Sequence, residues 1–318
     1  MLVAAIWAPA SLAAKWEPEK LIEIVVPAAA GGGTDRTARL MQKIFVDLKS
    51  LPMPTVVVNK PGAGSSMGNR YVIQHEGDGH YLGITQPTLL TDAITGMSTI
   101  GYTNVTPLAQ LGTEYIGFAV KADSPLKTPK DIIDRLKKDP GSVSFGISNA
   151  IGAPGHIALG LVMRQAGIDP SKLTVVVFPS GGQSMTTLLG GHVDVITTTV
   201  ANLLGMMGNG MIRTLAVTAP KRMGGPFSDT PTWKEKGIDV VIGNWRGVVG
   251  PPGMTADQIA FWDSKLAALA ASDEWKSDAE RNAVGLEYLN SKDSKIFLTD
   301  QYSQMRRILS DLGLATTK

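Results

Sequence analysis

Three consecutive glycines, Gly31 to Gly33, stand in the run PAAAGGGTD, directly after the β-branched stretch Leu21–Val26 and directly before a helical pattern. Glycine there lets the backbone approach a ligand closely, while the following helix presents unpaired N–H groups and a partial positive charge. The chemistry on offer is anion binding through main-chain donors of Ala28, Ala29, Ala30, Gly31 and Gly32. Nucleotide readings fail on spacing, because the third glycine of GxGxxG is missing and no GK[ST] follows. Asp35 completes the candidate set. A carboxylate beside an anion site repels, so its expected part is to complement the helix start or order the glycine turn.

Other turns offer similar groups. QPT supplies Gln86 and Thr88, SNAIGAPGH supplies Ser148, Asn149 and His156, PSGGQS supplies Ser180, Gly182 and Gln183, and TTTVAN supplies Thr198 and Thr199. Hydroxyls, amides and main-chain N–H groups with few acids or bases are equipped to hold a ligand and poorly equipped to transform it. His156 is a candidate base, yet a lone histidine beside a helix start reads first as a hydrogen-bonded structural residue. His75, His80 and His192 show no i, i+4 pairing, so no metal site is expected. Gly146 to Ala150 misses the final glycine of GxSxG, and no nucleophile, catalytic residue or cofactor is assigned. Trp245 and Arg246 lie where the chain should recross between halves, as an aromatic wall and a forked cation for a carboxylate. The alternative is that Arg246 pairs with an acid of the hinge and Trp245 fills the core.

These turns need a scaffold. Short β-branched runs alternate with helical patterns, and each junction carries Gly, Pro, Ser, Thr or Asn, the pattern of parallel βαβ units. Open parallel sheets bind ligands outside the carboxyl ends of their strands, where these turns fall. The first helix should pack through Leu40, Met41, Ile44, Phe45 and Leu48. Residues 111–126 read as one long strand leaving the first lobe, followed by a helix over Pro129–Lys138. A helix is expected over Thr232–Lys236, then a returning strand within 240–253. The tail is helical, with Ile259, Trp262, Leu266 and Leu269 as its packing stripe. The resulting division puts 15–118 with 245–318 in lobe 1 and 119–244 in lobe 2, with hinge strands near 114–122 and 240–250.

Composition sets bounds. A length of 318 residues exceeds one ordinary domain, and 43% hydrophobic against 18% charged residues describes a folding globular chain. With 30 Lys and Arg against 28 Asp and Glu, no overall field draws it to nucleic acid or an anionic membrane. Cysteine is absent, which excludes disulfides, thiolate metal sites and a cysteine nucleophile. Residues 1–14, MLVAAIWAPASLAA, are apolar and end in small residues. They read as a secretory signal remnant without its positive n-region, cleaved near Ala13 or Ala14, and place the mature, soluble protein in the periplasm.

Read in order, VPAAAGGGTD, VVVNKPGAGSSMG, SFGISNAIGAPGH, LLGGHVDV, IRTLAVTAPKR, TPTWKEKG and NWRGVVGPPG resemble the substrate-binding proteins of tripartite tricarboxylate transporters, the TctC or Bug family. The resemblance covers nearly the whole mature chain. It implies an α/β, type II-like Venus flytrap, each lobe a mostly parallel sheet flanked by helices, joined by two crossover strands. It also implies delivery of a small organic carboxylate to large and small inner-membrane permease subunits, and a monomer is expected. The ligand carboxylate would lie between Ala28–Asp35 and the turns Ser148–His156, Ser180–Gln183 and Thr197–Thr199, with ordered waters bridging some contacts. TTTVAN departs from the Phe-Asp-Ser of many relatives, so the acid that reads a ligand amine is missing. A di- or tricarboxylate is the expected ligand, with Arg246 reading an additional carboxylate. The rivals are an enzyme on the same scaffold, using His156 with Ser148 or Ser180, and a sensory ligand-binding protein.

Overall fold

The computed structural model describes residues 15–148, 151–178 and 180–316. The expected signal remnant, 1–14, lies outside these. The β-branched runs become strands β1 (Ile22–Val26), β2 (Thr55–Asn59), β3 (Tyr81–Thr85), β4 (Thr106–Lys121), β5 (Ser144–Ser148), β6 (Thr174–Phe178), β7 (Val195–Thr199), β8 (Ile212–Val217) and β9 (Gly243–Gly250). They join in one nine-stranded sheet, eight of them in the order β2-β1-β3-β9-β4-β7-β5-β6, with β8 off this path on β4. Within it β1, β2 and β3 are parallel, as are β5, β6 and β7.

Strand β4 belongs to both halves of this sheet. From Thr106 to Tyr115 it pairs antiparallel with β9, and from Ile116 onward with β7 on one edge and β8 on the other. Thr218 seals the place where β8 gives way to β9. Its buried hydroxyl bonds the main chain of Ile116 and, at 2.5 Å, the carbonyl of Ile242. Beyond Lys121 the strand expected to run to Leu126 has already ended, because the Arg213 guanidinium gathers the carbonyls of Ala122, Ser124 and Leu126 into a turn.

Helices α1 (Gly33–Asp47), α2 (Ser66–Ile73) and α3 (Thr88–Ile94) follow the first three strands, and α4 (Pro129–Lys138) follows β4. Helix α4 has the bounds its sequence predicts. Proline stands at its first position, and Thr128 and Asp131 form a capping box. In the second half α5 (Pro154–Gln165), α6 (Gly181–Leu189) and α7 (Val200–Gly208) each start just past a strand end. The helix expected over Thr232–Lys236 is only a 3-10 turn, Lys234–Lys236, stopped by Gly237 in the left-handed region at φ 82°. The tail forms α8 (Ala256–Ala271), α9 (Asp273–Arg281) and α10 (Ser291–Asp311).

Two main cores result. One packs Met41, Ile44 and Phe45 of α1 and Trp262, Leu266 and Leu269 of α8 on β1 and β3; Leu40 and Ile259 sit at its margin, and Leu48 is exposed. The other joins Phe118, Phe145, Ile147, Val195 and Trp233. Helix α10 serves both halves: Leu298 packs with Leu90 and Trp245, whereas Met305, Ile308 and Leu309 enter the second core. Apolar residues run the length of the helix, and each end buries them against the half it reaches.

Candidate functional site

At the carboxyl end of β1 the chain turns through Ala28 to Gly32 into α1. Gly31 adopts φ +84°, a conformation only glycine takes without strain. Its N–H donates to Asp35 Oδ2 at 2.9 Å, and the same oxygen accepts from Arg39 Nε at 2.9 Å. Asn59, at the end of β2, donates to Asp35 Oδ1 at 2.9 Å and to the Ala28 carbonyl at 3.1 Å. Hydrogen bonding from Arg39 above all, opposed by burial and helped by Gly31 and Asn59, holds the Asp35 carboxyl at about 2. Asp35 is buried and accepts three hydrogen bonds inside the turn. These contacts fit the expected part of ordering the glycine loop.

With Asp35 turned inward, the outer surface of the loop is left to main chain. Ala29, Ala30, Gly31 and Gly32 are exposed, and the first-turn N–H groups of α1 are those a helix leaves unpaired. Thr34 donates to Gln86 Oε1 at 3.1 Å, which leaves the Gln86 NH₂ as donor. Thr88 shares a 2.6 Å hydrogen bond with Ser65, whose N–H in turn meets the buried Asp92, a carboxyl raised by burial. Thr34, Asn59 and Ser65 were missed in the sequence. The signal for Asn59 and Ser65 was their place in the NKPGAGSS turn at the end of β2, beside the glycine loop in space.

The second half assembles three helix starts at the ends of β5, β6 and β7. Ser148 bonds Ser184 at 3.1 Å, and Ser180 caps α6 by accepting from the Gln183 N–H at 3.3 Å. Gly182 and Gln183 are exposed in the first turn of that helix. Thr198 accepts from Asn202 at 2.9 Å, Thr197 donates to the Gly155 carbonyl at 3.0 Å, and Thr199 is the N-cap residue of α7. Asn149 lies outside the described residues. His156 accepts the Gly152 N–H on Nδ1 at 3.1 Å, and burial holds its imidazole below the ordinary value. The hydroxyls of Ser148 and Ser180 are engaged with Ser184 and Gln183, not with His156. Among the described residues no group of three or more His, Asp or Glu is placed to hold a metal ion.

Arg246 and Trp245 sit in the surroundings that the alternative reading describes. On the β4–β9 pair Gly112 faces Arg246 and Glu114 faces Asn244, so Arg246 and Glu114 meet diagonally on one face. Arg246 is 7% exposed and donates to Glu114 Oε2 at 3.0 Å. The other Glu114 oxygen takes Arg36 at 3.3 Å. Burial lowers the Arg246 guanidinium from its usual value, while Glu114 opposes the change. Arg246 is thus paired with an acid of the first hinge strand, as a buried charge needs to be. Trp245 points to the other face, is 2% exposed and packs on Leu90 and Leu298, with Phe297 edge-on at 5.6 Å. It belongs to the core.

Comparison with known proteins extends this picture. A protein from the gbd 5′ region of Cupriavidus necator is 26% identical over 310 residues, covering 96% of this chain and 92% of its own. A TctC solute-binding protein from Polaromonas, solved without ligand, superposes with a TM-score of 0.78 at 27% identity, covering 92% of this chain and 99% of that one. A Rhodopseudomonas palustris protein solved with adipate gives a TM-score of 0.81 at 23% identity, covering 94% and 99%. The two-lobe binding-protein fold is therefore shared, and among the described residues no helix is long and apolar enough to cross a membrane. Residues 38–314 match the tripartite tricarboxylate transporter family receptor, TctC, and the chain belongs to that family of periplasmic solute-binding proteins.

Proposed function

We propose that this protein captures a small dicarboxylate or tricarboxylate between its two lobes and delivers it to an inner-membrane permease, without altering it. The observation that carries the reading is the braced glycine turn. Asp35, Arg39 and Asn59 hold the loop from within, so its exposed amides stand pre-arranged for an anion at the start of α1. The helix starts of α5, α6 and α7 supply the opposing donors, and β4 with β9 forms the hinge. The structure with adipate supports a dicarboxylate in particular, and the buried Arg246 withdraws the reason for preferring three carboxylates. Ligand binding would shift the open and closed populations through hydrogen bonds made only in the closed form. Export to the periplasm and action as a monomer complete the reading.

The test is thermal unfolding with adipate, succinate, malate, citrate, tricarballylate and glutamate. A ligand present at a hundred times its dissociation constant stabilises by about 2.7 kcal/mol. A dose-dependent rise in melting temperature with at least one carboxylate, returned unchanged after dialysis, is expected. No rise with any of them, or conversion of the bound acid, rejects the reading.

A further inference from the structure

The hinge pair β4–β9 carries a cavity on the face opposite Arg246 and Glu114. It encloses about 180 Å³, room for a molecule of several heavy atoms, and none of the loop residues discussed above lines it. Its walls come from both halves: Tyr115 on β4, Trp245 on β9, Glu287 on the segment alongside β4, and Phe297, Gln301 and Gln304 on α10. Glu287 is the one charged residue in this lining. Its carboxylate accepts from the Tyr115 hydroxyl at 3.0 Å and from Thr113 at 3.2 Å, hydroxyl donors that orient the charge without neutralising it. Three aromatic side chains share the space with it. Gln301 donates to Gln304 at 3.2 Å, which leaves the Gln301 oxygen as a further acceptor.

We propose that this hinge cavity is a binding site for a small organic ammonium ion with a short apolar stem. A cation gains the Coulomb attraction of the exposed Glu287 carboxylate at the cavity wall and contact with the aromatic side chains of Tyr115, Trp245 and Phe297 that line it. Its N–H groups find the Gln301 and Glu287 oxygens, and its stem meets Met305 and Ile308. An organic anion would meet Glu287 as a like charge, so the site excludes the ligand class assigned to the glycine turn. The two sites are chemically opposite and stand or fall separately.

The probe is n-butylammonium chloride, titrated into the full chain by calorimetry and followed by NMR. 1-Butanol is the neutral comparison, and potassium chloride controls for ionic strength. Expected are saturable 1:1 binding, at least tenfold weaker binding of 1-butanol, and movement of the Trp245 indole N–H signal, assigned by its loss in Trp245→Phe. Glu287→Gln should lose at least tenfold in butylammonium affinity and keep its carboxylate response in the melting assay. Absence of saturable binding, equal binding by Glu287→Gln, or an unmoved Trp245 signal overturns the proposal. If Glu287→Gln does not fold, the Trp245 signal and the butanol comparison decide it in the unaltered chain.

Discussion

Replacing Asp35 by Asn tests the brace behind the glycine turn. The substitution keeps an acceptor for the Gly31 N–H and removes the charge paired with Arg39 at 2.9 Å. The Asp35 carboxyl is held at about 2 against an ordinary 3.8. At about 1.4 kcal/mol per pH unit this gives an upper value near 2.4 kcal/mol, which falls to roughly 1–2 kcal/mol because water screens the pair. That allowance is needed because the Arg39 side chain is 54% exposed. With an unfolding entropy of about 2.1 cal/mol/K per residue over ~300 residues, Asp35→Asn should melt about 2–3 °C lower at pH 7. The pH dependence carries the sharper signature. A carboxyl made more acidic by folding contributes fully above 3.8, and the contribution fades as pH falls toward 2. Denaturant melts from pH 7 to pH 2.5 should therefore show a constant gap between wild type and variant down to about pH 4.5, then a narrowing one. Adipate affinity should also drop at least tenfold, about 1.4 kcal/mol, as the loop loosens. A gap that stays constant or widens below pH 4 refutes the brace.

Three further outcomes follow from the same contacts. Arg246→Ala should cost about 3–5 kcal/mol in urea unfolding, because Glu114 is left buried with one partner, and should weaken mono- and dicarboxylates by the same factor. A loss confined to dicarboxylates would return Arg246 to the ligand. Gly31→Ala forces a Cβ into a conformation at φ +84° with no neighbouring atom to clash, so the expected cost of about 1–2 kcal/mol is conformational, and Gly31→Asn should recover part of it. Equal losses for Ala and Asn would count against this cause. His156 is held below its ordinary 6.5 by burial; its contribution is complete above pH 6.5 and is lost as pH falls through the lower folded value. An NMR titration should place the imidazole midpoint below 6.5, and a midpoint at or above it would contradict its burial.

The sequence was informative where local rules suffice. Helix α4 could be bounded to the residue because proline and the Thr128–Asp131 box signal its start, within four positions. The glycine turn was legible for the same reason, since a strand, a turn and a helix start lie within a few residues. The brace was half legible: Asp35 at four residues from Arg39 is a helical neighbour, whereas Asn59 arrives from β2 through sheet pairing. The 3-10 turn at Lys234–Lys236 was overestimated as a helix because periodicity over five residues cannot weigh the left-handed stop at Gly237.

Backbone preference, apolar spacing and turn chemistry thus determined from the chain alone that it alternates strands with helices, that its polar turns gather at strand ends, and that they suit an anion. Only tertiary structure decided the fate of Arg246, Trp245 and α10. Glu114 and Arg246 are 132 positions apart, and whether they meet depends on a register that two irregular steps in β4–β9 shift. A charge displayed to a ligand and a charge buried in a pair look identical in a sequence, because the difference lies in which face of the strand the register hands to the core.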